Sequence, residues 1–276
     1  MRFPLSGKLS GFAGKCLGPF RRHSKSGEAA DLCSLILDDV TIQMQPPVFV
    51  DVGAAGGFSD PWGRLVSNGK VLGIAFEPDP EAAANLKTAQ ESLKILPFAL
   101  GSEKCVKNLN ITRFRECSSF LIPEMAVILD YGLQHLFEVV DTLPVDVDSY
   151  GSMAANGVVP LPEFVKIDVQ GFESEVLKGF ESCSDSIIAI EIEARFRPIY
   201  EGEWLVHDIL NWMTERGLHL RRLDPQGPFR GEIVEANLFF FKKIFGSHSK
   251  GRLTASALGT YLFDTSGSQN SVAPTC

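Results

Sequence analysis

A chain of 276 residues, 45% hydrophobic and 22% charged, is long enough for one large α/β domain with tails and reads as an ordinary globular protein. Its net charge of −8 is uneven: residues 1–27 hold Arg2, Lys8, Lys15, Arg21, Arg22 and Lys25 with no acid, which leaves −14 on the other 249 residues. So acidic a body excludes extended contact with a nucleic-acid backbone, which needs dense lysine and arginine.

The basic N-terminus lacks the compact apolar core of a secretory signal, because Gly and Lys interrupt it, and it reads as an irregular arm. No uncharged apolar run approaches the ~20 residues that a membrane span requires. The six cysteines, Cys16, Cys33, Cys105, Cys117, Cys183 and Cys276, are scattered, without a C-x-x-C pair or a histidine at ligand spacing. That usage predicts reduced thiols in a cytoplasmic protein, with no metal site.

Helical spacing at Leu32, Leu35 and Ile36 predicts a helix over 28–44, closed by Pro46-Pro47. The run 48–52 is a buried strand that ends in a carboxylate, Asp51, and passes into the small residues Gly53 to Gly57. Trp62, Leu65 and Val66 carry a helix to Asn68-Gly69, and 71–76 is a second strand, followed by Glu77. The Ala-rich stretch 80–90, with an early proline and glutamate, is a helix, and 95–100 is a third strand.

The alternation then breaks. Residues 101–163 show two strand-like runs, 106–112 and 137–147, and no clear helix, which predicts a β-rich insert beside the sheet edge that covers a site. It resumes with the strand 164–168, ending in Asp168, the helix 171–179, the strand 187–192 and an amphipathic helix over 207–216. Strands 218–223 and 238–241, joined by a Pro/Gly-containing turn, complete the count. The expected fold is α/β and Rossmann-like, with a seven-stranded, mostly parallel sheet and an antiparallel pair at its end. The domain is placed at 46–245, and the Ser/Gly/Thr-rich residues 246–276 form a tail.

Strand ends of this kind carry nucleotide sites, since open α/β sheets bind ligands at the carboxyl ends of their strands. Glu77 suits the two hydroxyls of a ribose. A dinucleotide fingerprint wants glycine where this chain has Ala55, which disfavours a nicotinamide oxidoreductase. Asp51 is ill placed against a pyrophosphate and well placed against an amino group. Asp51-x-Gly53-x-x-x-Gly57 therefore favours S-adenosyl-L-methionine, a cofactor with a ribose and an amino-acid tail but no phosphate. Helix capping is the competing structural role for Asp51 and Glu77. Asp168 could likewise serve only as a cap or a partner of Lys166. Glu173, Glu175 and Lys178 read as one solvated helix face, and Phe239 to Phe241 as strand core.

Five blocks then carry a resemblance: 76–86, 98–101, 118–120, 166–179 and 191–202. In order over about 46–242, they resemble the FkbM-type methyltransferases, most specifically at Ile167-Asp168-x-x-Gly171-Phe172-Glu173. The resemblance implies a class I methyltransferase sheet and O-methylation of a small molecule or sugar-like acceptor from S-adenosyl-L-methionine. By matching position, Asp51, Gly53, Ala54, Gly57 and Glu77 would hold the cofactor, and Phe98 and Ala99 would lie near the adenine. Asp168 would face the methyl group, with Glu191 in the next strand as a second candidate base. His135 and His207 are weaker candidates, since a lone histidine is more often a surface or packing residue. One departure stands out: Gln170 occupies a position where the family commonly has glutamate. That substitution motivates an alternative in which the chain binds the cofactor without turning it over.

Overall fold

A computed structural model describes residues 46–89 and 94–242. The predicted helix over 28–44, the basic arm and the C-terminal tail lie outside the described residues. The strands are β1 (Val48–Val52), β2 (Leu72–Phe76), β3 (Lys94–Leu96), β4 (Ala99–Leu100), β5 (Cys105–Thr112), β6 (Val139–Asp148), β7 (Phe164–Ile167), β8 (Ala189–Arg195), β9 (Leu218–Phe229) and β10 (Glu232–Lys242). The α-helices are α1 (Trp62–Ser67), α2 (Pro80–Ala89), α3 (Met125–Tyr131), α4 (Gln134–Phe137), α5 (Tyr150–Ala155), α6 (Glu173–Gly179) and α7 (Val206–Glu215). None of the described helices is long and apolar enough to cross a membrane.

The main sheet has seven strands in the order β3-β2-β1-β7-β8-β10-β9. All neighbours pair in parallel from β3 to β8, and β10 alone runs against them, wedged between β8 and β9. This is the expected α/β, Rossmann-like arrangement. Strand order reverses direction between β1 and β7, so the connections that leave their carboxyl ends diverge and open a crevice there. Strands covered on both faces must be apolar throughout, and β1 is buried at every position. Val50 and Val52 join one core with Ile74, Phe76, Ile167 and Ile190. Phe49 joins the other, where its ring stacks on Trp62 at 4.1 Å and 4°.

Three expectations need correction. The third strand does not run unbroken over 95–100. β3 ends at Leu96, and Pro97, which has no N–H to give the ladder, sends the chain to β4 in a separate sheet ordered β4-β6-β5. The insert is not free of helices: α3, α4 and α5 all lie within it. They are too short to show a period, yet α3 has a left-handed Gly132 cap and α5 is capped by the Ser149 hydroxyl, which accepts from Ser152 N.

Last, the final strands are longer than 218–223 and 238–241, so most of the Pro/Gly-containing connection expected between them is strand. β9 continues through Pro225, as an edge strand can. The reversal comes at Arg230-Gly231, both at positive φ (49° and 86°), the geometry of a two-residue hairpin loop.

Trp62, 4% exposed, is the one aromatic that anchors α1 to β1 and β7, touching both Phe49 and Phe164. Trp62→Ala should lower the unfolding free energy by roughly 3–5 kcal/mol in urea titration, whereas a loss under 1 kcal/mol would show that α1 packs without it.

Candidate active site

A cavity of about 970 Å³ lies over the carboxyl ends of β1, β2 and β7. Its floor is the turn after β1, from Val52 through Gly57. Gly53 takes φ 82°, and a Cβ there would stand 2.0 Å from the backbone oxygen of Asp168, so only glycine lets the two strand ends approach this closely. Gly53 N and Ala54 N both donate to Phe76 O, which ties the turn to β2 as well. One wall is Glu77, Asp79 and Glu81 after β2, the opposite one Asp168, Val169 and Gln170 after β7. The insert contributes Leu109, Arg115, Glu116, Ser118 and Phe120, and β9 contributes Asp224, Pro225 and Gln226.

Glu77 is 5% exposed and receives Asp79 N–H at 2.9 Å. Burial, reinforced by the neighbouring Asp79 and Asp51 charges and partly offset by the Asp79 N–H, lifts its pKa to about 7. Capping of α2 falls to Asp79, whose Oδ1 accepts from Glu81 N at 2.9 Å. That division leaves the Glu77 carboxylate at the cavity wall rather than in a helix cap.

Asp51 does not line the cavity: it is 1% exposed, and its Oδ1 lies 3.3 Å from Lys166 Nζ. The same ammonium is 3.7 Å from Asp168 Oδ2. The register explains the grouping, because Asp51 pairs with Lys166 and Lys166 with Glu191 across β1, β7 and β8, placing all three on one face of the sheet. Only Lys166 and, one strand-end further, Asp168 reach the cavity; Glu191 does not line it.

Gly53, Ala54, Gly57 and Ala99 line the cavity, while Phe98 backs it, its ring edge-on to Phe76 at 5.5 Å. His135 and His207 are exposed and away from it. Arg115 was not legible as a site residue, since nothing in the local sequence of the insert marks it. It binds Asp79 Oδ2 at 2.5 Å from across the cavity.

The Gln170 turn leads into a buried polar cluster. Arg195, 1% exposed, stands 3.1 Å from Glu193, 3.3 Å from Glu203 and 3.6 Å from Glu235. Glu173 belongs to the same region and is not part of a solvated face. It is 2% exposed and accepts from Val169 N and Gly171 N, because the tight Gln170-Gly171 turn (φ 57° and 90°) points those donors at the start of α6. Glu175 and Lys178 do form the expected outward pair, at 2.6 Å.

A sequence profile of the methyltransferase FkbM domain matches residues 51–220. The chain belongs to the FkbM methyltransferase family. The matched span includes every cavity-lining residue except Asp224, Pro225 and Gln226, which lie beyond its end. Among curated proteins the chain is similar to the hexuronic acid methyltransferase AglP of Haloferax volcanii, 24% identical over 72% of this chain and 78% of the relative. Among solved structures it is similar to the magnesium protoporphyrin IX methyltransferase of Synechocystis PCC 6803 with bound SAM, at TM-score 0.39 and 8% identity, covering 79% of each chain. A TehB-like SAM-dependent methyltransferase from Corynebacterium glutamicum overlaps at TM-score 0.35 and 13% identity, over 78% of this chain and 87% of that one.

In this family member the α6 glutamate carries a testable energetic signature. Burial lifts the Glu173 pKa from 4.5 to about 7, against the opposing pull of Arg195. Its contribution to stability is therefore complete below about pH 4.5 and is lost as pH rises through about 7. Glu173→Gln cannot ionise, so its stability relative to the parent should improve by on the order of 2 kcal/mol between pH 5 and pH 8 in urea unfolding. A difference that stays flat across that range would show that Glu173 does not titrate there.

Proposed function

We propose that this protein transfers a methyl group from S-adenosyl-L-methionine to a hydroxyl oxygen of a small, sugar-like acceptor. The observation that carries the reading is one cavity shared by a glycine turn, a buried carboxylate one strand away and a second carboxylate at the strand-order reversal. The residues fit that cofactor. Glu77, half ionised near neutrality, presents carboxylate oxygens to a diol, and the turn Gly53 to Gly57 keeps backbone close beneath the amino-acid tail. Phe76 and Ala99, with Phe98 packed behind Phe76, give this side of the cavity an apolar lining that suits a base. Asp51 acts from below, by fixing Lys166 rather than by touching the ligand.

When bound, the sulfonium supplies an activated methyl group, so positioning provides much of the acceleration. Asp168 is the carboxylate we assign as general base, a role worth ~10²–10⁴-fold. Lys166 holds it from the β7 side. Glu191 is not assigned that role, because its side chain does not reach the cavity. The acceptor side supports an uncharged substrate. Glu77, Asp79, Glu81, Glu116, Asp168 and Asp224 line the cavity, against two cations, Arg115 and Lys166, which both already hold carboxylates. A similarity to a hexuronic acid methyltransferase supports the sugar-like class. The charge of this cavity favours its neutral members.

Calorimetric titration with S-adenosyl-L-methionine and with NAD tests the donor, and binding of NAD alone would sink the proposal. Ribose hydroxyls donate to both Glu77 oxygens, and more strongly, when it is ionised, so cofactor affinity should rise from pH 6 to pH 8, through its pKa of about 7. Glu77→Ala should weaken binding ~10–100-fold and flatten that trend. Asp168→Ala should leave the cofactor Kd unchanged and slow transfer to a neutral glycoside by ~10²–10⁴-fold. Equal losses of binding in the two variants would refute this division of roles.

A further inference from the structure

Gln170 is one of two non-glycine residues with positive φ among those described, at 57° in the turn after β7. That strained backbone aims its side chain back under Asp168. The amide nitrogen donates to Asp168 Oδ1 at 3.1 Å and to Glu193 Oε2 at 3.0 Å. The amide oxygen accepts from Arg195 at 2.8 Å and lies 3.4 Å from the Tyr200 hydroxyl. The insert locks the same turn from the other side, through Ser119 Oγ donating to the Gln170 backbone oxygen at 2.5 Å.

The chemistry of the partners leaves no second orientation. Two carboxylate oxygens can only accept, and a guanidinium can only donate. Reversing the amide would set its oxygen against both carboxylates and its NH₂ against Arg195. A neutral group with a donor at one end and an acceptor at the other is what this position requires. The charges around it sharpen the requirement. On the β7 and β8 side stand Lys166, which also holds Asp51, then Glu191 beside it in register, and Glu193. Behind lies Arg195, facing Glu193, Glu203 and Glu235, with Glu173 under the turn. Glu77, Arg115, Glu116 and Asp224 line the same cavity as Gln170.

We propose that Gln170 is a positioning residue that orients Asp168 and holds it ionised, as the uncharged link between the cavity carboxylate and the buried Arg195 cluster. This inference rests on the reading of Asp168 as the base. Gln170 gives one of its two N–H groups to that carboxylate and so stabilises its charged form. The other anchors the amide to Glu193, which Arg195 holds in place. A glutamate here has the same shape and the wrong chemistry. One of its oxygens would face Asp168 and Glu193 with nothing to donate, and the three carboxylates would have to trap a proton. The base would then be the group that holds it.

The test follows the titration of Asp168 directly, so it needs no knowledge of the acceptor. The full chain, labelled with ¹³C at aspartate side-chain carboxyls, is titrated by NMR, and the Asp168 signal is assigned by its loss in Asp168→Asn. In Gln170→Glu the Asp168 midpoint should move up by about one pH unit or more. In Gln170→Met, which keeps the length without the donor or a new charge, it should move up by a smaller amount. The cofactor Kd, measured by calorimetry, should stay within about threefold of the parent in both, since Gln170 lines the cavity but its side-chain amide is already engaged by Asp168, Glu193 and Arg195.

A midpoint that is the same in all three proteins overturns the proposal, whatever the change in thermal stability. If Gln170→Glu does not fold, the direction of the shift in Gln170→Met decides. Failure of the unsubstituted protein to bind S-adenosyl-L-methionine would instead overturn the functional reading, and the titration would still report on Gln170.

Discussion

One ammonium group between two carboxylates organises the centre of this molecule. Lys166 lies within 4 Å of both Asp51 and Asp168, joining the last turns of β1 and β7 where the order of the sheet reverses. Two carboxylates gathered around one ammonium would repel each other without it. With the lysine present, the strand ends approach until Gly53 stands against the Asp168 carbonyl. The crevice above them is then floored by backbone rather than side chains.

Charge is distributed outward from this point in two directions. Toward the cavity, acids outnumber cations, and Glu77 is raised to about 7 by burial and its acidic neighbours. Away from it, a single deep guanidinium, Arg195, is surrounded by Glu173, Glu193, Glu203 and Glu235, which reinforce its charged form. Gln170 lies between the two and adds no charge to either. Its amide satisfies both sides, donating to Asp168 and Glu193 and accepting from Arg195. Neutrality at that position is consistent with a working base at Asp168.

The sequence made the parallel core legible because parallel strands buried on both faces must be apolar runs, and each ended visibly in Asp51, Glu77 or Asp168. The insert was less legible for a matching reason. Its helices span 4–7 residues, too few for a period to emerge, and its strands face solvent along much of their length. Pro225 misled in the opposite sense, since a proline that reads as a turn is harmless on an edge strand. Glu173 looked like a surface residue because helical spacing alone cannot show that a preceding turn aims two amides at it.

What the sequence determined by itself is the fold, the order of its strands' chemistry and the kind of cofactor that a carboxylate-ended, glycine-turned site favours. Those follow from local pattern, where each residue's neighbours along the chain decide its role. Only the tertiary structure decided where the polar groups lie. Asp51 sits beside Lys166 outside the cavity lining, Glu191 on the sheet face away from it, and Gln170 between Asp168 and the Arg195 cluster. In each case the deciding partner, Lys166 or Arg195, is brought by strand pairing, and pairing distances are not written in sequence spacing.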